Sequence, residues 1–369
     1  MAFALQPPGL MLLRCLVLAG LTAACGNHEM PAVATDAPPA DTAGDGCPPT
    51  VRSFDPELTA AVAMNAGKGG GILRVECTSG RLLFEGGAGG IAAGDMFEIQ
   101  STTKTFTAAL VLMFVEDGRV TLDTPLGSVL PATDTQGLLV IANHDYGPEL
   151  TLRQLMHHTA GLPDYWNDGP FGSDGMNAFQ RAYVADPDRM FEPRELVEYA
   201  RHLTPIALPG TKHHYTDTGY VLLGLVIEQL AGKPYHQVMR ERILTPLGLT
   251  HTYLRYREAD LGPVTAWYDD GELVAGVRHQ SADWAGGGYV STAADLARFL
   301  RALADREILH EQETLDAMRE WGPTDVDGIE YGLGLYRVDY AKFGEPQRGS
   351  WWGHDGYGNA FMYAMDPNL

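Results

Sequence analysis

Lysine is nearly missing from this chain, with five residues against twenty-one arginines in 369. Basic charge is outweighed altogether: 26 Lys and Arg face 47 Asp and Glu, a formal net charge of −21. No basic stripe is left to meet phosphates, which excludes a nucleic-acid partner and leaves a solvated acidic surface that favours solubility. Serine is scarce too, with eight residues. None sits in Gly-x-Ser-x-Gly, which excludes the strained elbow of the α/β-hydrolases. The twelve histidines form no H-E-x-x-H or H-x-H-x-D cluster. The pairs His157–His158 and His213–His214 would point about 100° apart on a helix or to opposite faces of a strand, so no metal or other cofactor is expected. Gly86 to Gly90 is not followed by Gly-Lys-Ser/Thr, so that loop is not a phosphate cradle. There are no internal repeats.

What is present begins with a targeting segment. "MLLRCLVLAGLTAACG" (Met11 to Gly26) carries one arginine, an apolar run too short to span a bilayer, and small residues before Cys25. It resembles a bacterial lipoprotein signal, with Thr22 where leucine is usual. That resemblance implies a lipoprotein-type signal over residues 1–25 in which Cys25 is lipidated and becomes the mature N-terminus, and an exported protein anchored to membrane, facing the periplasm or cell surface. Met11 is a candidate true start. Residues 26–50, rich in Ala, Pro, Asp and Thr, read as a flexible tether. Cys47 and Cys77 then remain, and an exported protein with two cysteines is expected to join them in a disulfide; two unpaired thiols are the other reading.

The rest reads as globular, with hydrophobic residues at 45%. Phe54 to Ala66 reads as a helix with Asp55 at its N-cap and Pro56 at its first position. "GILRVECTSGRLLFEGGAG" alternates around Ser79-Gly80, a hairpin signal. A helix opens at Ser101 and stops at Gly118. From Val120 to about Asp270 the pattern is helical and loop-rich, and Val221 to Leu230 is apolar nearly all round, hence buried. "STAADLARFLRAL" carries Thr292 and Asp295 as a capping box. After Tyr331 strand-like segments return: "YGLGLYRVDY", "GSWWGH" and "NAFMYAMDP". This order predicts an α+β fold: an antiparallel sheet formed from both chain ends and flanked by helices, with an inserted, mostly helical domain. The expected division is an α/β lobe of residues 51–125 and 271–369 and a helical lobe of 126–270.

"FEIQSTTKTFTAAL" (Phe97 to Leu110) carries the chemistry. Ser101 and Lys104, at i and i+3, share one helix face. With eight serines and five lysines, about 0.1 such pairs arise by chance. A serine hydroxyl needs a base to become a nucleophile, and a buried lysine at a positive helix N-terminus has its pKa pushed down toward that role. The same N-terminus offers N–H groups to a developing oxyanion. The alternative is an N-cap serine beside a lysine that snorkels to solvent.

Two further stations lie downstream: "YTD" at Tyr215 to Asp217, just before the buried helix, and "HDG" at His354 to Gly356, between glycines at a strand end. With "STTK" they resemble, in the right order, the motifs of the serine beta-lactamase and penicillin-binding-protein superfamily, on its class C and D-Ala-D-Ala carboxypeptidase side. The phrases "TLRQLMHHTAGLPDY", "RILTPLGL" and "GGGYVSTAADLARFL" add to the likeness, which covers roughly residues 54 to 369. The resemblance implies that Ser101 is acylated, Lys104 accepts its proton and Tyr215 is a second acid/base. Backbone N–H groups of Ser101 and Tyr357 would form the oxyanion hole, with Asp217, His354 and Gly356 along the substrate. Tyr165 and Trp166 wall the pocket or pack in the core; Trp351 and Trp352 alternate, one toward the core and one toward the site edge. His158 is expected to make a structural hydrogen bond.

Two residues depart from the family pattern. Asp217 stands where asparagine is usual. A carboxylate beside Lys104 either raises the lysine's pKa and weakens it as a base, or holds it charged so that the cation lowers the pKa of Tyr215. His354 stands where beta-lactamases have lysine. A neutral histidine weakens the hold on a substrate carboxylate and tilts the reading toward esters or other amides. The chain stops at "AMDPNL", where the family turns into one more strand and a final helix, so a C-terminal truncation is expected. The expected protein is a monomeric serine hydrolase acting on a small-molecule or cell-wall peptide substrate. The alternative is a catalytically silent envelope-binding protein of the same fold.

Overall fold

The hairpin expected around Ser79-Gly80 is formed: β1 (Gly71–Glu76) pairs antiparallel with β2 (Leu82–Ala88). Gly80 turns the chain at φ +80°, a left-handed conformation that glycine adopts without strain. The computed structural model describes residues 70–269, 272–274, 278–357 and 360–365. The signal segment with Cys25, the tether with Cys47, and the helix expected at Phe54–Ala66 lie outside the described residues. Among the described residues no helix is long and apolar enough to cross a membrane. Cys77 is disulfide-bonded.

A short strand β3 (Met96–Glu98) leads through one 3-10 turn, Gln100–Thr102, into helix α1 (Thr103–Glu116). Eleven of the fourteen residues of α1 are buried, so it runs through the core rather than over it. Its threonines are tolerated there because each hydroxyl finds a partner: Thr105 donates to Gly334 O at 2.8 Å, Thr107 to Ala285 O at 2.7 Å, and Thr103 accepts from Tyr289 N–H at 3.3 Å. Helix α2 (Asp217–Ala231) is the second buried helix, ending at left-handed Gly232. Strands β4 (Tyr253–Leu254) and β5 (Val264–Thr265) precede the single turn α3 (Trp284–Gly287), which packs across both α1 and α2. Next come β6 (Tyr289–Ser291) and α4 (Ala293–Ala304). The last five strands are β7 (Gly322–Pro323), β8 (Ile329–Tyr331), β9 (Tyr336–Asp339), β10 (Ser350–Gly356) and β11 (Ala360–Met365).

The class is the expected α+β. Strands β7 to β11 form one antiparallel sheet in sequence order, and one hydrophobic core runs from Ile99 to Met362. Several details differ from the sequence-based expectations. The N-terminal hairpin does not join the C-terminal sheet by ladder bonds among the described residues; its two strands pair only with each other. Helix α4 packs on both β1 and β11, and Arg301 of that helix ion-pairs with Glu76. A second sheet, in the order β4-β6-β3-β5, contains a parallel pair, Met96 opposite Val264. It also crosses the lobe boundary expected at 270, because β4 and β5 from the helical stretch pair with strands of the other lobe. "YGLGLYRVDY" is two strands, not one. Gly334 turns between them at φ +76°, where a Cβ would lie 2.6 Å from that of Ala108. The capping box at α4 is half made: Thr292 accepts from the Asp295 N–H, but the Asp295 carboxylate turns to His251 N–H and the Thr252 hydroxyl.

The contact of α2 with α3 has no spare room. A Cβ on Gly224 would fall 2.5 Å from the Trp284 ring and 2.7 Å from the Ala285 methyl. Gly224→Ala is therefore expected to destabilise by about 1–3 kcal/mol through overpacking, despite alanine's better helix propensity. Thermal or urea unfolding checks this, and an unchanged or raised midpoint would contradict it.

Candidate active site

Ser101 sits on the 3-10 turn, half-buried, with Gln100 before it at φ +47°. Its hydroxyl does not cap the helix. Lys104 follows one turn later and is fully buried. Its Nζ lies 3.0 Å from Ser101 Oγ and 2.9 Å from the Gly286 carbonyl, and it ion-pairs with Asp217. Three acceptors around one nitrogen match the three donors of an ammonium. The scarce lysine is thus enclosed, not snorkelling. Glycine is needed opposite it, since a Cβ on Gly286 would meet Asp217 Oδ1 at 2.6 Å.

Tyr215 arrives from the loop before α2. Its ring lies 4.9 Å from Lys104 Nζ. Burial, and next the charge of Asp217, push its pKa well above the ordinary 10; the nearby Ser101 hydroxyl opposes this without reversing it. The expectation that a charged Lys104 lowers Tyr215 is therefore not met, because desolvation and the carboxylate outweigh the cation. His158 supports this ring at 4.2 Å. It makes the expected structural bond, its Nδ1 accepting from Thr216 N–H at 3.2 Å, which assigns the proton to Nε2.

Strand β10 closes the site from the other side. Gly356 lies against the nucleophile turn, where a Cβ would meet Ile99 O at 2.4 Å. Tyr357 follows with a half-exposed ring, 6.0 Å from that of Trp267. Ser101, Lys104, Tyr215, Asp217 and Gly356 thus converge from three segments. His354 is close but turned inward: it is fully buried, with Nε2 3.0 Å from the Tyr331 hydroxyl and Nδ1 2.7 Å from the Asp355 carbonyl. Trp352 is buried and Trp351 half-buried, its indole N–H bonded to Arg348 O.

One expected site residue is not at the site. Tyr165 is fully buried, its hydroxyl donates to Ala282 O at 2.8 Å, and its ring packs edge-on to Phe179. With its only polar side-chain atom satisfied inside, it is core and not pocket wall. Other residues were passed over. Asp164 accepts the Asp217 backbone N–H at 3.0 Å and so holds the main chain at the start of α2; burial, then the charges of Asp217 and Asp168, push it up to about 7. It lies inside the quoted phrase "AGLPDY", but nothing in the one-dimensional pattern ties it to residue 217. Among the described residues no group of histidine, cysteine and acidic side chains could hold a metal.

This chain belongs to the beta-lactamase family: the family model "Beta-lactamase" matches residues 60–368. It is similar to the D-stereospecific amidohydrolase from Streptomyces sp., with 30% identity and a TM-score of 0.67, covering 81% of this chain and 85% of that one. It is similar to the D-amino acid amidase from Ochrobactrum anthropi SV3, with 27% identity and a TM-score of 0.65, covering 83% and 86%. Penicillin-binding protein 4 of Amycolatopsis lactamdurans is 28% identical over 311 residues, 78% of this chain and 73% of that protein. The first curated relatives are spanned unevenly, from 38% to 73% of their own length.

Burial, reinforced by the charge of Lys104, pushes His354 down to about 3. Folding therefore favours its neutral form. That contribution is complete above the unfolded pKa near 6.5 and is lost as pH falls from there toward 3. Between pH 6.5 and 4 the parent protein is expected to lose on the order of 3 kcal/mol more stability than His354→Gln. Urea unfolding at the two pH values checks this; parallel losses in both proteins would contradict it.

Proposed function

We propose that this chain is a serine hydrolase that forms an acyl-enzyme on Ser101 and takes small amides or esters, D-amino-acid derivatives among them, in preference to beta-lactams. The observation that carries the reading is the Ser101 hydroxyl 3.0 Å from the buried Nζ of Lys104, with the ring of Tyr215 4.9 Å from the same nitrogen. Its resemblance to the D-amino acid amidase and the D-stereospecific amidohydrolase supports the choice of substrate class. So does the neutrality of His354, which leaves that strand position without a cation for a substrate carboxylate.

The electrostatics support separate roles for the two bases. At rest Lys104 is an ammonium paired with Asp217, and Tyr215 is a phenol. As Ser101 Oγ attacks the carbonyl carbon, one proton passes from Lys104 to Asp217 and the freed amine takes the proton of the serine. Tyr215 gives its proton to the leaving group. With Asp217 neutralised, the charge that opposed a phenolate is gone and a cation remains beside the ring. Water then returns a proton to Tyr215 and its hydroxide attacks the acyl carbon. Ser101 recovers its proton from Lys104, and Lys104 from Asp217. Backbone N–H groups of Ser101 and Tyr357 serve as the oxyanion hole in this scheme.

Ser101→Ala is expected to lower turnover by about 10⁴-fold or more on whichever donor is cleaved. A panel of D-phenylalanine amide, p-nitrophenyl acetate and nitrocefin, with mass mapping of a fluorophosphonate adduct, checks this. No adduct and no turnover with folded protein would favour a silent binding protein. Asp217→Asn is expected to keep kcat/KM within about tenfold, because asparagine removes the acceptor together with the charge that holds the proton on Lys104, so that the amine takes the serine proton without the transfer through residue 217. Collapse of turnover in that variant would show that the carboxylate itself is required.

A further inference from the structure

We propose that the carboxylate of Asp355 is the subsite for an ammonium group carried by the acyl donor. This deepens the reading of Ser101 as nucleophile and rests on it. Three observations lead there. The end of β10 touches the nucleophile turn, and Gly356 has no side chain, so Asp355 is the last side chain of the strand before that contact. Asp355 is half-buried and forms no ion pair among the described residues; its one side-chain hydrogen bond there is a long one, 3.5 Å from the Tyr363 hydroxyl. Its surroundings are phenols, Tyr215 stacked on Tyr336 with centroids 6.2 Å apart, and both rings feel its charge.

A half-buried carboxylate with no cation is costly, and none of the described residues supplies one to it. Lys104, whose charge reaches Asp355, already has all three donors occupied by Ser101, Asp217 and Gly286. The adjacent His354 is neutral. Burial raises Asp355 only to about 6, so at neutral pH it is charged. The missing cation is supplied by the substrate: a primary amine near the scissile carbonyl, as in amino-acid amides and esters. The same charge repels donors that carry an acid there.

The test compares methyl esters of D-phenylalanine and 3-phenylpropionic acid at pH 7, identical but for the amino group. In the parent protein, kcat/KM is expected to favour the amino ester by at least about tenfold after each is corrected for its own hydroxide hydrolysis. In Asp355→Asn that ratio is expected to fall about tenfold, mainly through KM. A second measurement needs no variant: 2-phenylethylamine should inhibit hydrolysis of the uncharged ester at least about tenfold more strongly than 2-phenylethanol. An unchanged ratio in folded Asp355→Asn, or an amine no better than the alcohol, overturns the subsite while leaving Ser101 as nucleophile intact. Absence of turnover on both esters together with absence of a Ser101 adduct overturns both.

Discussion

The buried ammonium of Lys104 is the constraint on which the site depends. A charge taken so far from water survives only if every donor is met. Here the acceptors come from three separate segments: the 3-10 turn before α1, the first turn of α2, and the carbonyl of Gly286 in α3. Satisfying one nitrogen therefore fixes the mutual placement of the two central helices and the turn across them. The packing agrees with this, since both Gly224 and Gly286 lack room for a side chain at that junction.

The electrostatics around the ion pair follow from its presence. Asp164 and Asp283 are both pushed up, by burial first and by the charge of Asp217 next, so the carboxyl groups there surrender charge to the one that faces the lysine. His158 and His354 are pushed down by burial and by Lys104, and stay neutral as hydrogen-bonding groups. The phenols are held protonated. The result is a water-poor region with one internal ion pair and several neutral groups able to pass protons, which is a usable ground state for acyl transfer.

Much of this was legible in the sequence wherever local pattern carries the information. Ser101 and Lys104 are bound to meet by helix geometry alone, and the hairpin at Gly80 and the stop at Gly118 follow from backbone freedom. Order along the chain, through Tyr215, Asp217 and the glycines around His354, marked the other walls. What was not legible depended on partners with no sequence relation. Tyr165 looked like a pocket wall because an aromatic beside a tryptophan has no periodicity to show which way it faces; only the carbonyl of Ala282 settles it. Asp164 reaches Asp217 across 53 positions. That the hairpin and the last five strands form separate ladders among the described residues was not legible either, because hydrophobic alternation fixes which face a strand buries and not which strand lies beside it.

Gly356 carries one consequence for how this scaffold can vary. Where strand and nucleophile turn meet, the wall is bare main chain, its spacing set by the carbonyl of Ile99. Changes in donor preference cannot be written at that position without separating the two. They are confined to its neighbours and to loops farther out, which leaves the geometry of bond cleavage insulated from tuning of what is cleaved.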